Sequence, residues 1–336
     1  MKLLTVVIPC YNSQDYMESC INSLLPGGDR VEILIVDDGS TDRTGSIADA
    51  YAARYPSVVQ VIHQENGGHG EGINQGLRRA TGRYFKVVDS DDCLSGDFPL
   101  FLIKLDRLCR EGGGPDLVVT NYYYVHSDGI GDRSLHYRNV FPEEKLISWS
   151  DSRPFRPHQL LTIHSCTFRT ELLRKSGMVL PKHTFYEDNV MIYTSLPLVN
   201  TLCYLSMDLY RYTIGREGQS VQRETTMRRY THQLKVTLLC FRAFHLDAVQ
   251  NRRLKKYLEH ELFTMFGIAI LFARLNRTRQ AEKDLGELWQ ACREFDPGCA
   301  GRLRHSALAA LCIPGKAGVC AAELIYDTAH RVVRFN

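Results

Sequence analysis

Six carboxylates in or beside two short apolar runs set the chemistry open to this chain. Val31-Glu32-Ile33-Leu34-Ile35-Val36 runs into Asp37-Asp38-Gly39-Ser40, and Tyr84-Phe85-Lys86-Val87-Val88 runs into Asp89-Ser90-Asp91-Asp92. Carboxylates that close to buried strands repel one another and resist desolvation. They call for a positive partner, and the simplest is a divalent metal carrying a phosphorylated ligand. Asp89 and Asp91 can present two oxygens to one Mg2+ or Mn2+, leaving room for phosphate oxygens and water. Such an ion stabilises charge on a leaving diphosphate. The plainer reading is a turn of surface acids. The buried strand before it and the second acidic strand end nearby favour the metal.

Three further groups carry a chemical and a structural reading each. A carboxylate in Asp37-Asp38-Gly39-Ser40 can accept from an imide N–H, as on uracil, or from ribose hydroxyls, or it can cap a helix. Tyr11 can stack on a base or pack at the rim. Glu187-Asp188 opens a helix-like stretch, where acids suit the N-terminal dipole, or supplies a general base that deprotonates a hydroxyl. The run Gly67-Gly68-His69-Gly70-Glu71-Gly72 tempts a dinucleotide reading but lacks the Gly-x-Gly-x-x-Gly spacing. His69 within it either touches a ligand or caps and packs.

Something must bring these residues together. Apolar runs at 3–9, 31–36, 58–62, 84–88 and 116–120 alternate with helix-like stretches near 14–25, 42–54, 69–80 and 97–110. That order predicts right-handed βαβ units around a mainly parallel sheet flanked by helices. In open α/β sheets, ligands bind beyond the carboxyl ends of the strands. That rule gathers Pro9 to Asn12, Asp37-Asp38, Gln64 to Gly68 and Asp89 to Asp92 at one rim. Residues 121–160 are aromatic and turn-rich, and read as an insertion or as strands crossing one edge. Beyond Gly215 only helical spacing remains, over 225–246, 252–275, 279–294, 302–311 and 316–333. The expected domains are 1–215, with the site, and a helical extension over 216–336.

The chain has 336 residues, 44% hydrophobic and 24% charged, enough for a large core. Its longest apolar stretch, 262–273, falls short of the roughly 20 residues a membrane span needs. Met1-Lys2 leads straight into a strand-like run, and eleven Cys without a Cys-x-x-Cys pair suit a reducing compartment. A cytoplasmic location is expected, with peripheral contact at the inner face of a membrane as an addition. The charge of +3 divides into −5 over the first 212 residues and +8 over the rest. A basic helical region can face a membrane surface or a phosphorylated acceptor, or can simply be solvated. Its last helix puts Val319, Ala322, Tyr326, Ala329 and Val333 on one face, for core packing first and membrane contact second. Arg216, Arg223 and Arg228 are candidates to touch diphosphate or an anionic acceptor. A homo-oligomer interface is a further use for this region, and no nucleic-acid partner is expected.

The motifs together resemble the family 2 glycosyltransferases of the GT-A fold. The resemblance lies in Val6-Val7-Ile8-Pro9-Cys10-Tyr11-Asn12, Val36 to Asp42, Asn66-Gly67-Gly68, Asn74-Gln75-Gly76-Leu77, Gly82-Arg83-Tyr84 and Val88 to Asp92, and extends through Glu187-Asp188. It implies inverting transfer from a nucleotide sugar, usually a UDP-sugar, to a glycan or lipid-linked acceptor with Mn2+ or Mg2+. By position, Asp38 resembles the base-recognition Asp, with Pro9, Tyr11 and Asn12 lining the nucleoside pocket. Asn66, Gly67, Gly68, Asp89 and Ser90 fall on the donor side. Asp89, Asp91 and Asp92 resemble the metal motif, and Asp188, with Glu187 beside it, the catalytic base. Two departures stand out: the loop after Gly68 reads His69-Gly70-Glu71-Gly72-Ile73, and no Gln-x-x-Arg-Trp follows the base. The second argues against a processive, membrane-embedded synthase. The rivals are a sugar-phosphate nucleotidyltransferase and an inactive sugar-nucleotide-binding subunit. The first would place a Gly-rich loop with Arg and Lys where Pro9-Cys10-Tyr11-Asn12 stands.

Overall fold

A computed structural model describes residues 2–126, 133–214, 229–306, 308, 311–313 and 315–333, without the side chains of His126, Lys316 and 327–333. Arg216, Arg223 and Arg228, and the side chains of Ala329 and Val333, lie outside the described residues. The chain divides into two compact units, Met1–Ile214 and Gly215–Asn336.

The first unit is built on one mixed sheet. Its order is β3 (Val59–His63), β2 (Val31–Asp37), β1 (Leu4–Cys10), β4 (Tyr84–Val87), β9 (Cys166–Arg169), β6 (Leu117–His126), β10 (Leu202–Ile214) and β5 (Cys93–Leu94). The long pairs β1–β2, β1–β4, β2–β3 and β6–β10 are parallel. The short β9 enters antiparallel between β4 and β6. Every residue of β1 and β2 is buried, which is why both read as unbroken apolar runs. Within β2 the buried Glu32 is satisfied by Thr5 Oγ1 (2.5 Å) and by Thr81 N and Oγ1 (both 2.8 Å), so it belongs to the scaffold.

Helices α1 (Met17–Leu24), α2 (Thr44–Arg54), α3 (His69–Arg79) and α4 (Phe98–Gly112) make the crossovers. Among the described residues of 121–160, β6 continues to His126, and β7 (Arg133–Leu135) and β8 (Leu146–Ile147) are added at the sides of β6 and β10. Helix α5 (Thr170–Lys175) follows β9, and helix α6 (Asp188–Ser195) then returns the chain to β10. Glycine sets how closely α3 lies on β1. A methyl group at Gly76 would stand 2.5 Å from Val7 Cγ1. Gly76→Ala is therefore expected to cost about 1–3 kcal/mol by overpacking. A thermal melt should show it, at about 2–4 °C per kcal/mol for a domain of this size.

The long regular elements among the second unit's described residues are all helices: Tyr230–Ala243, Arg252–Asn276, Arg279–Phe295, Pro297–Arg304 and Lys316–Val333. Its core joins Phe241, Phe266 and Trp289. The spacing argument misplaced one helix at 302–311. Asp296 caps it instead, accepting from Cys299 N at 2.9 Å, with Pro297 in the first turn. In the last helix Ala322 is buried, which suits core packing, while Leu324 is 70% exposed. Among the described residues no helix is long and apolar enough to cross a membrane.

Candidate active site

Three strand ends meet where the sheet runs out of partners. At the end of β1, Cys10 O accepts from Asp38 N at 2.9 Å, joining it to the end of β2. Asn12 takes a left-handed backbone (φ 49°) and binds the same turn twice. Its N–H donates to Ser40 Oγ (3.0 Å) and its Oδ1 accepts from Thr41 N (2.9 Å). Ser13 and Ser90 share a hydroxyl hydrogen bond of 2.8 Å, tying β1 to the turn after β4. Tyr11 is 54% exposed, so its ring face is open to a flat ligand. Pro9 is buried in β1, where Gly72 lets α3 approach it.

Asp38 has a more specific environment than its spacing suggests. Its buried carboxylate accepts from Gln64 Nε2 (2.6 Å), Gly67 N (2.8 Å) and Gly68 N (2.8 Å), while its backbone O accepts from Asn66 Nδ2 (2.9 Å). It thus shapes the Asn66-Gly67-Gly68 loop. Gly68 has φ 84°, and a methyl group there would meet His183 N at 2.9 Å. That close approach locks the loop to the segment leading into α6, where His183 N donates to Gly67 O at 2.9 Å. His183 and Tyr186 both hold left-handed backbones (φ 48° and 67°), a strain that ordinary residues accept where the surroundings enforce it.

The loop and α6 close on one imidazole. His69 Nδ1 lies 2.8 Å from Glu187 Oε1, and its Nε2 lies 2.9 Å from Asp89 Oδ1. On the other side of Asp89, His164 Nε2 stands 3.7 Å from Oδ2. Burial by itself would raise the Asp89 pKa, but the two histidines hold it well below the usual carboxylate range. Burial would likewise lower the His69 pKa, and its two carboxylate partners outweigh that and hold it well above normal. Asp92 goes the other way. Burial, then the charges of Asp89 and Asp91, push it well up, although it accepts from Tyr210 Oη (2.7 Å) and Thr213 N (2.8 Å). Asp188 is half-buried at the start of α6, and burial together with Glu187 raises its carboxyl to about 6.

Beneath this cluster lies a fully buried amine. Lys86 Nζ donates to His164 O (2.8 Å) and Cys166 O (3.3 Å), fixing the chain on either side of Ser165. It also lies over the Tyr210 ring, 5.4 Å from its centroid, and burial lowers it to about 8. The His164 ring in turn stacks on Tyr212 at 4.5 Å and 26°.

The structure brings together Asp89, Asp92, Glu187 and the residues of the Gly67-Gly68 loop. Asp89, Asp92 and His164 can each offer one ligand atom within 4.8 Å of the others. Asp91, half-buried beside them, is not in that group. Sequence reasoning gave His69 only a weak role and missed His164, Lys86 and Tyr210. His164 follows no regular element and has no spacing relation to the acids. Lys86 offered one legible signal, a cation inside a fully buried strand.

The model of Glycosyl transferase family 2 matches residues 5–170, which hold the first three strand ends and both histidines. Residues 5–170 form a glycosyl transferase family 2 domain. The chain is 43% identical over 223 residues to the "Uncharacterized glycosyltransferase EpsJ" of Bacillus subtilis, covering 62% of this chain and 60% of EpsJ. It is 39% identical over 131 residues to the "Glycosyltransferase GlyG" of Streptococcus pneumoniae, covering 38% of this chain and 42% of GlyG. The chain thus spans about half the length of these relatives. Among solved structures, S. aureus TarS 1-349 superposes with a TM-score of 0.68 at 20% identity, covering 98% of this chain and 91% of that one. At that identity the likeness concerns the fold, which is of the GT-A type.

Proposed function

We propose that this chain is an inverting, metal-dependent glycosyltransferase that moves a sugar from a UDP-sugar to an acceptor hydroxyl. The observation that carries the reading is the closure of Asp89 and Glu187-Asp188 around His69. A site for a leaving diphosphate and a site for a base, 99 residues apart in sequence at Asp89 and Asp188, become one cluster.

Asp188 takes the proton of the acceptor hydroxyl. The acceptor oxygen bonds to the anomeric carbon as that carbon's bond to the diphosphate breaks on the opposite face, and the electron pair leaves with UDP. Tyr11 stacks on the base. Asp38, through the Asn66-Gly67-Gly68 loop, shapes the pocket for the rest of the nucleotide, and Asn12 and Ser90 hold its rim. Asp89, Asp92 and His164 would hold Mn2+ or Mg2+, with Asp91 beside them. The two carboxylates fit, because such ions take oxygen ligands, with the His164 imidazole as a softer third donor, and a cation relieves the repulsion that adds to burial in raising Asp92. When bound, the ion would stabilise the charge developing on the diphosphate.

The relatives support this choice of substrates. TarS 1-349 has been crystallised with UDP-GlcNAc and with UDP. A mannosyltransferase from Pyrobaculum calidifontis, with a TM-score of 0.56, was solved with GDP-Man and Mn2+. A Bacillus poly(ribitol-phosphate) beta-glucosyltransferase and a "Minor teichoic acid biosynthesis protein GgaB" also match. The acceptor we assign is accordingly a cell-surface glycan or its lipid-linked precursor. The basic helical unit would meet that acceptor, the membrane that carries it, or a second copy.

The test is calorimetry of UDP with and without Mn2+, followed by release of UDP from UDP-sugars. Tight binding only with the metal, and turnover of at least one donor, are expected; metal-independent binding would sink the metal assignment. A pH prediction follows from Asp188. The base must be ionised, so kcat should fall below about pH 6 and level off above it. A profile flat down to pH 5 removes Asp188 from the role.

A further inference from the structure

His69 occupies a position that the proposed reaction has not yet used. Both of its ring nitrogens are engaged, one by Glu187 at 2.8 Å and the other by Asp89 at 2.9 Å. The two carboxylates differ in their surroundings. The Glu187 side chain is only 4% exposed, against 23% for Asp89. Gly70 fences it in, since a methyl group there would stand 2.8 Å from Glu187 Cγ. Glu187 therefore has little room to swing towards water, and its carboxylate is paired with His69. The backbone reinforces this arrangement, because the Gly67–His183 hydrogen bond fastens the loop carrying His69 to the segment leading into Glu187.

Two adjacent carboxylates, Glu187 and Asp188, thus sit beside the same reaction, and only one is free to act. A carboxylate held 2.8 Å from an imidazole nitrogen in a closed place is poorly placed to turn towards an acceptor hydroxyl. Its neighbour stays available. We propose that His69 is a positioning residue for sugar transfer: it holds Glu187 in a buried hydrogen bond anchored on Asp89, so that Asp188 alone takes the acceptor proton. The inference rests on the glycosyltransferase reading above and deepens it. The charged groups around Asp188 that govern the outcome are Glu187, His164, His69 and Asp89. Loss of His69 takes that hydrogen bond from a buried carboxylate, and the hold of Glu187 on Asp188 changes with it.

The experiment compares wild type, His69→Gln, His69→Ala, Glu187→Gln and His69→Ala combined with Glu187→Gln. Release of UDP from UDP-GlcNAc is followed across pH, and UDP with Mn2+ is titrated by calorimetry. His69→Ala should lower kcat by about 10- to 100-fold, the scale of a misplaced catalytic group, while UDP affinity holds. His69→Gln should move the acid limb of kcat upwards, and Glu187→Gln should move it down. The double variant should recover part of the His69→Ala loss, because the charge that His69 balances is gone. Strictly additive effects, or an unmoved acid limb, would overturn the proposal. So would UDP affinity falling in step with kcat.

A wild type that turns over no UDP-sugar defeats the glycosyltransferase reading, and His69 is still decided without turnover. In 15N spectra of the metal-free protein, the His69 ring nitrogens should both report hydrogen-bonded N–H groups and should respond to Glu187→Gln. Ring signals indifferent to that change would refute the bridge.

Discussion

Asp188→Asn is expected to abolish sugar transfer and leave UDP binding intact. The asparagine keeps the size and one acceptor oxygen of the native side chain but cannot take a proton at neutral pH. General-base catalysis contributes about 10²- to 10⁴-fold, so kcat should fall by that much. Affinity for UDP with Mn2+ should not follow, because Asp188 is absent from the group of residues that can hold the ion. A change that lowers kcat and kcat/KM equally marks an interaction made only in the transition state. Removing the carboxyl that burial and Glu187 have pushed up to about 6 should also relieve the fold. The sign follows from linkage. A raised carboxylate contributes stability below its unfolded pKa and loses it as pH rises through about 6. At pH 7 the variant should therefore melt no lower than wild type. Transfer that survives Asp188→Asn and disappears in Glu187→Gln would exchange the two roles.

The parts of this site that spacing revealed are those fixed by the strands. β1, β2 and β4 are buried on both faces, so their apolar runs are unbroken and their ends could be counted to within a residue or so. Asp37, Asp38 and Asp89 were legible for that reason. What spacing could not show was how strand ends pair in space. β9 is four residues long and antiparallel, and it was unreadable because so short a run has no period. His164, just before it, went unread with it. The pairing of His69 with Glu187 spans 118 residues and depends on two loops meeting at Gly68, which no local pattern encodes. The helical unit was legible as helices and not as a surface. Its one misplaced boundary came from following apolar period past the capping signal at Asp296-Pro297.

The second large effect is expected at Asp89. Asp89→Asn keeps the shape and removes the charge that two histidines face, at 2.9 Å and 3.7 Å. Metal-dependent UDP binding should be lost, so that Mn2+ no longer tightens the UDP isotherm. The fold should also suffer, because Asp89 is a carboxylate whose pKa the folded state depresses. Such a group contributes stability above its unfolded pKa, near 3.9, and loses it as pH falls through its lower folded value. A melt of metal-free Asp89→Asn at pH 7 should therefore lie below wild type. Asp92→Asn should do the opposite, since Asp92 is pushed up by burial and by its acidic neighbours. Its metal-free melt should match or exceed wild type, while its response to Mn2+ disappears. Comparing Asp91→Asn with His164→Ala then decides the ligand set. If His164→Ala weakens Mn2+ binding more, the ion belongs to Asp89, Asp92 and His164. If Asp91→Asn does, the Asp-x-Asp spacing was the better guide and His164 serves mainly to hold Asp89. Either result separates two demands that the acidic strand end meets at once: to carry enough charge for a metal, and to remain folded without one.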